Sequence, residues 1–167
     1  MVLPEFRDIK IISGGQTGVD RAALDTAIEL GLSHGGWCPA ERWAEDGTIP
    51  PRYQLEETPS SRPEVRTEWN VRDSDGTLIL ARGALFGGTA YTVEIARRLG
   101  RPCLIVDLRC PPPLAEIRDW ICRHRIRRLN VAGPRESNAP GIYQEARDFL
   151  HRLLCEGRSE SRFLSPR

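Results

Sequence analysis

The sequence predicts one doubly wound α/β domain: a mainly parallel sheet of about five or more strands with helices on both faces. Three observations predict it. Short apolar runs alternate with amphipathic stretches of about ten to fifteen residues, the length a parallel crossover needs and a hairpin does not. Two of the runs end in a Gly-Gly pair followed by a threonine and a helical pattern, the punctuation of a strand that turns into a helix. A chain of 167 residues, 40% hydrophobic and 28% charged, also has the size and composition of one globular domain with its own core.

Taken in order, the first strand is expected at 10–13. Val19, Ala22, Ala23, Ala27 and Leu30 then recur at helical spacing, and Gly31 supplies the stop. Strands follow at 35–38 and 77–81. Tyr91, Ile95 and Leu99 mark a second helix stopped by Gly100. A strand at 102–108, a helix at 113–125, a strand at 129–132 and a helix at 139–154 complete the alternation. The result is a Rossmann-like domain over 1–155, with a proline-rich irregular flap at 39–63 and a polar tail at 156–167. Trp43 and Tyr53 in the flap suit a folded segment near a ligand or partner, and a solvated loop fits the composition equally.

Charge and cysteine usage narrow the partners. A net charge of +1 argues against a nucleic-acid footprint. Lys10 is the only lysine, so nearly all positive charge is arginine. That is either a compositional bias or a supply of bidentate anion contacts. No run is long and apolar enough for a membrane span, and the first residues lack a signal-peptide core. Cys38, Cys103, Cys110, Cys122 and Cys155 form no C-x-x-C pair and fit reduced thiols in a cytoplasm. His34, His124 and His151 stand apart, so no structural zinc and no other metal site is expected.

The glycine loops carry the functional expectation. In the first, Gly14, Gly15, Gln16, Thr17 and Gly18 precede a helix whose first turn holds Asp20 and Arg21; in the second, Gly87, Gly88 and Thr89 precede Thr92. Glycine lets backbone approach a ligand closely, and a helix begins with unpaired N–H groups and partial positive charge. Together they make an anion site, and in a parallel sheet such loops gather at the carboxyl ends of the strands. A third loop offers Gly133, Arg135 and Ser137 at the same edge. Neither the dinucleotide fingerprint nor a G-K-[ST] phosphate loop is present, and glycine turns also occur before helices that bind nothing. Asp20 and Arg21 serve equally as first-turn helix stabilisers, and Glu94 as a dipole complement. Trp69 and Asn70 either contact a ring or pack and cap.

Several strings resemble the molybdenum-carrier family: Gly14-Gly-Gln-Thr-Gly-Val-Asp-Arg21, Ala44-Glu-Asp-Gly-Thr-Ile-Pro50, Arg66-Thr-Glu-Trp-Asn-Val-Arg-Asp-Ser-Asp75, Gly87-Gly-Thr-Ala-Tyr-Thr92 and Asn130-Val-Ala-Gly-Pro134. That family is related to the lysine-decarboxylase-like and LOG-type proteins, which have Rossmann-like folds and bind nucleotides. LOG enzymes release the base from a nucleoside 5′-monophosphate. The resemblance puts Arg66 and Glu94 at their catalytic-pair positions, while Phe86, Ala90 and Tyr91 replace the proline, second glycine and threonine of their phosphate turn. It implies a cytoplasmic binding or carrier protein for a phosphate-bearing cofactor or nucleotide, with molybdenum cofactor or molybdate as cargo. The alternatives are a nucleoside 5′-monophosphate N-glycosidase using Arg66 and Glu94, or a sensor of a nucleotide-like signal. The expected partner is a small anionic ligand, and the expected assembly a homo-oligomer, dimer or tetramer.

Overall fold

The computed structural model describes residues 1–157. The expected polar tail thus falls, from residue 158 onward, outside the described residues. Five strands form the main sheet: β1 (Lys10–Ile12), β2 (Ser33–Gly35), β7 (Gly76–Ala81), β8 (Cys103–Asp107) and β9 (Arg128–Ala132). Their order is β2-β1-β9-β7-β8, and every pairing is parallel. Parallel strands need crossovers, and five helices supply the outer layers: α1 (Val19–Leu30), α2 (Pro63–Arg72), α3 (Gly87–Arg98), α4 (Leu114–Arg123) and α5 (Ile142–Leu154).

The helices cover both faces, as the alternation of patterns predicts. Val19, Ala22, Ala23 and Ala27 of α1 pack with Ile117 and Ile121 of α4, with Phe149 and Leu153 of α5, and with Leu78, Leu80 and Val131 of the sheet. On the other face Val71 of α2 meets Ile95 and Ala96 of α3. Gly76–Ala81 is buried throughout, as a central strand covered on both sides must be. Gly31 ends α1 in the left-handed region (φ 69°), its N–H returning to the carbonyls of Ala27 and Ile28.

Two elements differ from the sequence expectation. The strand expected at 35–38 is broken: β2 ends at Gly35, and β3 (Trp37–Cys38) leaves to pair with β6 (Glu56–Glu57). The break falls at Gly36, where φ is 132° and a Cβ would come within 2.2 Å of the Ser13 carbonyl oxygen. The second difference is α2, which stands where no helix is expected. Only Asn70 and Val71 are buried on it, so its apolar face is too narrow to register as a period.

The 39–63 segment is folded. The hairpin of β4 (Trp43–Ala44) and β5 (Gly47–Thr48) sits on a small apolar centre of Cys38, Ala44, Ile49, Tyr53 and Leu55 against Leu24 of α1. Arg42 (φ 54°) stitches the segment by donating to the carbonyls of Ile49, Pro50, Tyr53 and Leu55.

From β1 the chain crosses outward to β2, and from β7 it crosses the opposite way to β8, with β9 between the two halves. Where crossovers diverge, the loops above the strand ends part and leave a crevice.

Candidate ligand-binding cleft

A cleft of about 680 Å³ opens above the carboxyl ends of β1, β7 and β9, a volume within the range of small-ligand sites. All three glycine-bearing loops reach it. Gly14 and Gln16 line it from the first loop, Gly87, Gly88, Thr89 and Thr92 from the start of α3, and Gly133 and Arg135 from the third loop. Arg66 and Asn70 enter from α2, and Phe86 stands at the rim, 58% exposed.

The remaining predicted residues are engaged elsewhere. Gly15 lies under Leu55 and Ile49 of the flap, and Gly18 lies against the Pro134–Glu136 backbone. Arg21 donates to the Gly15 carbonyl and forms a bidentate pair with Asp46 at 2.9 Å. Thr17 and Ser137 both donate to the carboxylate of Glu45. Glu94 does not line the cleft, and its exposed carboxylate pairs with Arg98 one turn along α3.

The helix starts around the cleft are unequal. Val19 at the head of α1 donates to the Pro134 carbonyl, and Asp20 in its first turn accepts from the Gln16 N–H. At the head of α5, Glu136 accepts from the N–H groups of Gly141 and Tyr143. The head of α3 has no side-chain cap and no acidic residue in its first turn. Among the described residues nothing accepts from the N–H groups of Gly87, Gly88 and Thr89. A Cβ at Gly87 or Gly88 would meet no protein atom within 4 Å; Gly87 turns the chain with a φ of 56°, whereas no internal requirement holds Gly88 as glycine. Gly133 is the opposite case, with a Cβ landing 2.1 Å from the Leu80 carbonyl oxygen.

The floor carries a charge pair. Arg66 Nη1 donates to Asp20 Oδ2 at 3.0 Å, and the side chains are 15% and 7% exposed. Gly14 makes room for this guanidinium, since a Cβ there would lie 1.7 Å from Nη1. Arg66 Nε is buried with no partner. Burial pushes the Asp20 carboxyl above its ordinary range, and the pull of Arg66 only partly offsets this. Asn70 is spent on architecture, bonding both the N–H and the carbonyl of Trp37.

Glu45 is the residue the sequence did not single out. Its carboxylate takes Thr17, Ser137 and, at 3.8 Å, Arg135, while its N–H donates to Gln16 Oε1 at 2.9 Å. One flap residue thereby joins the first and third loops. Burial raises its carboxyl, but the hydrogen bonds from Ser137 and Thr17 outweigh burial and hold it below the usual range. Replacing Glu45 with alanine is expected to cost about 1–3 kcal/mol in a urea melt, as charged hydrogen bonds do. An unchanged melt would make the junction dispensable. No spacing marks Glu45 in the sequence, because its partners lie far away along the chain.

Fold and cleft together define a Rossmann-like domain with a crevice at a topological switch point, lined by the uncapped start of α3 and a buried arginine. Residues 11–154 match the circularly permutated YpsA SLOG family (cpYpsA), and the chain belongs to that family, which is related to LOG. The crystal structure of "Putative molybdenum carrier protein" from Syntrophus aciditrophicus SB is similar, with 48% sequence identity and a TM-score of 0.84. The likeness covers 89% of this chain and 97% of that one. Among curated proteins nothing matches.

Proposed function

We propose that the protein is a carrier that binds a phosphate-bearing organic cofactor or nucleotide in this cleft and leaves it chemically intact. The observation that carries the reading is the start of α3: three N–H groups without acceptors, beside Gly88, which neither a positive φ nor a neighbouring protein atom requires to be glycine. That is the arrangement a phosphate needs. The guanidinium of Arg66, which lines the same cleft, adds a charge-assisted contact.

Molybdenum cofactor, a pterin that carries a phosphate, is the proposed cargo, with free molybdate and nucleoside monophosphates as the other chemical forms. The name of the similar Syntrophus protein supports a molybdenum-related ligand. Among the described residues no group of three or more metal-ligating side chains converges. The donor set therefore suits the organic part and its phosphate. In this reading the carrier is a cytoplasmic homo-oligomer, dimer or tetramer, that takes no nucleic acid. The exposed apolar side chains of Leu99 and Ile105 support association, the net charge of +1 supports the absence of nucleic acid, and no described helix is long and apolar enough to cross a membrane.

The hydrolase alternative, with Arg66 and Glu94 as its catalytic pair, needs both side chains at one bond. Arg66 lines the cleft and Glu94 does not, which favours the carrier. Mass spectrometry of the natively purified protein is expected to find a bound phosphate ester. Incubation with AMP is expected to leave it intact. Release of adenine at about 1 per second or more, abolished by Glu94→Gln, would replace the carrier with an enzyme.

A further inference from the structure

We propose that Asp20 makes the cleft selective: it admits phosphate esters that bring their own hydrogen-bond donor and turns away oxyanions without one, such as molybdate and sulfate. The inference rests on the carrier reading of the same cleft and narrows its ligand class.

Asp20 is 5% exposed and lines the cleft floor. Both hydrogen bonds to its carboxylate, from Arg66 Nη1 at 3.0 Å and the Gln16 N–H at 3.3 Å, run to Oδ2. No described residue donates to Oδ1. That oxygen is also absent from the fully buried unsatisfied atoms, where Arg66 Nε stands alone, so it opens on the cleft. A half-used carboxylate in a poorly hydrated site is costly unless the ligand pairs with it.

The pair also sets the charge balance. Asp20 neutralises most of what Arg66 would offer a free anion, because opposite charges at this distance in a low dielectric act nearly as a dipole. Molybdate or sulfate, fully deprotonated at neutral pH, is an acceptor at every corner. Placed on the floor it meets an unpaired carboxylate oxygen and is repelled. A phosphate ester divides the task. Its phosphate sits at the start of α3, where Gly87 and Gly88 leave space. Its organic part reaches the floor and offers a hydroxyl or an N–H to Oδ1. Both a sugar hydroxyl and a ring amine have this chemistry.

Isothermal titration of the unmodified protein tests this with five probes: ribose 5-phosphate, 2′,3′-dideoxyadenosine 5′-monophosphate, cyclopentylmethyl phosphate, sulfate and molybdate. The first offers hydroxyls, the second only a base amine, and the third matches ribose in size without any donor. At least one donor-bearing ester is expected to bind about tenfold or more tightly than cyclopentylmethyl phosphate, with the two inorganic anions weaker still. Whichever donor-bearing ester binds identifies the donor as hydroxyl or amine.

Asp20→Asn keeps an oxygen for Arg66 and turns the open acceptor into a donor. It is expected to lower affinity for the donor-bearing ester about tenfold and to raise that for molybdate and sulfate by a similar factor. Should the variant not fold, the unmodified protein decides alone. Equal affinity for ribose 5-phosphate, the dideoxynucleotide and cyclopentylmethyl phosphate would overturn the role of Asp20 while the phosphate site stands. Molybdate bound as tightly as the best ester would do the same. Binding of no phosphate ester at all would remove the carrier reading and this inference with it.

Discussion

Replacing Arg66 with leucine is expected to destabilise the fold by about 3–5 kcal/mol at neutral pH, and by less in acid. The substitution leaves Asp20 buried with a single remaining donor, the Gln16 N–H at 3.3 Å. A buried charge stripped of its partner costs far more than the intact pair contributes, because desolvation is no longer offset. The pH dependence follows from the direction of the shift. Burial already raises the Asp20 carboxyl above its ordinary 3.8, and the attraction of Arg66 is what restrains it. Without Arg66 it rises further. A carboxyl whose folded pKa exceeds its unfolded one binds its proton first in the folded state, so lowering the pH favours the fold. The penalty is therefore largest above the folded pKa and shrinks as pH falls through it toward the unfolded value. Urea melts of both proteins at a series of pH values measure this. A penalty that grows in acid would mean that Asp20 is not the group responsible.

Gly88→Val is expected to keep the fold and to lose about 100-fold or more in affinity for a phosphate ester such as AMP, roughly 2.7 kcal/mol. A Cβ at Gly88 meets no protein atom within 4 Å, and no positive φ holds the residue outside ordinary helical geometry. The melt should therefore stay near that of the parent. The added methyl groups instead occupy the space in front of the three unbonded N–H groups, where the anion must come close. Gly15 cannot serve the same experiment. Its φ of 81° and a Cβ contact of 2.6 Å with Leu55 make substitution a folding defect. A stable Gly88→Val protein with parental affinity would move the phosphate away from α3.

That contrast also marks what was legible in the sequence. The strand and helix alternation was, since β7 and the faces of α1 and α5 carry their periods plainly. The loss of α2 has a physical cause: Glu64, Arg66, Glu68 and Arg72 give it the look of a solvated segment, and burial of Asn70 and Val71 depends on Trp37 and α3. The glycine loops were legible as loops. Which glycines face a ligand was not, because Gly14 is filled by Arg66, Gly15 by Leu55 and Gly18 by Pro134, each distant in sequence. Asp20 shows the same limit. A first-turn aspartate is ordinary as a helix stabiliser, and only the pairing with Arg66 on another helix turns it into the floor of a cleft.

The position of β9 has a bearing on how the molecule is made. It pairs with β1 on one side and β7 on the other, so residues 128–132 are the bridge between two otherwise separate half-sheets. During synthesis β1 with β2, and β7 with β8, can pair as they leave the ribosome, each presenting a bare inner edge to the surroundings. Parallel pairing over so long a separation is slow to form, and bare edges of apolar strands are where chains adhere to one another. A nascent chain paused before residue 128 carries two such edges at once. Insertion of β9 seals both in a single event, and the cleft above them comes into being at that moment, so ligand binding can reward only a fully synthesised sheet.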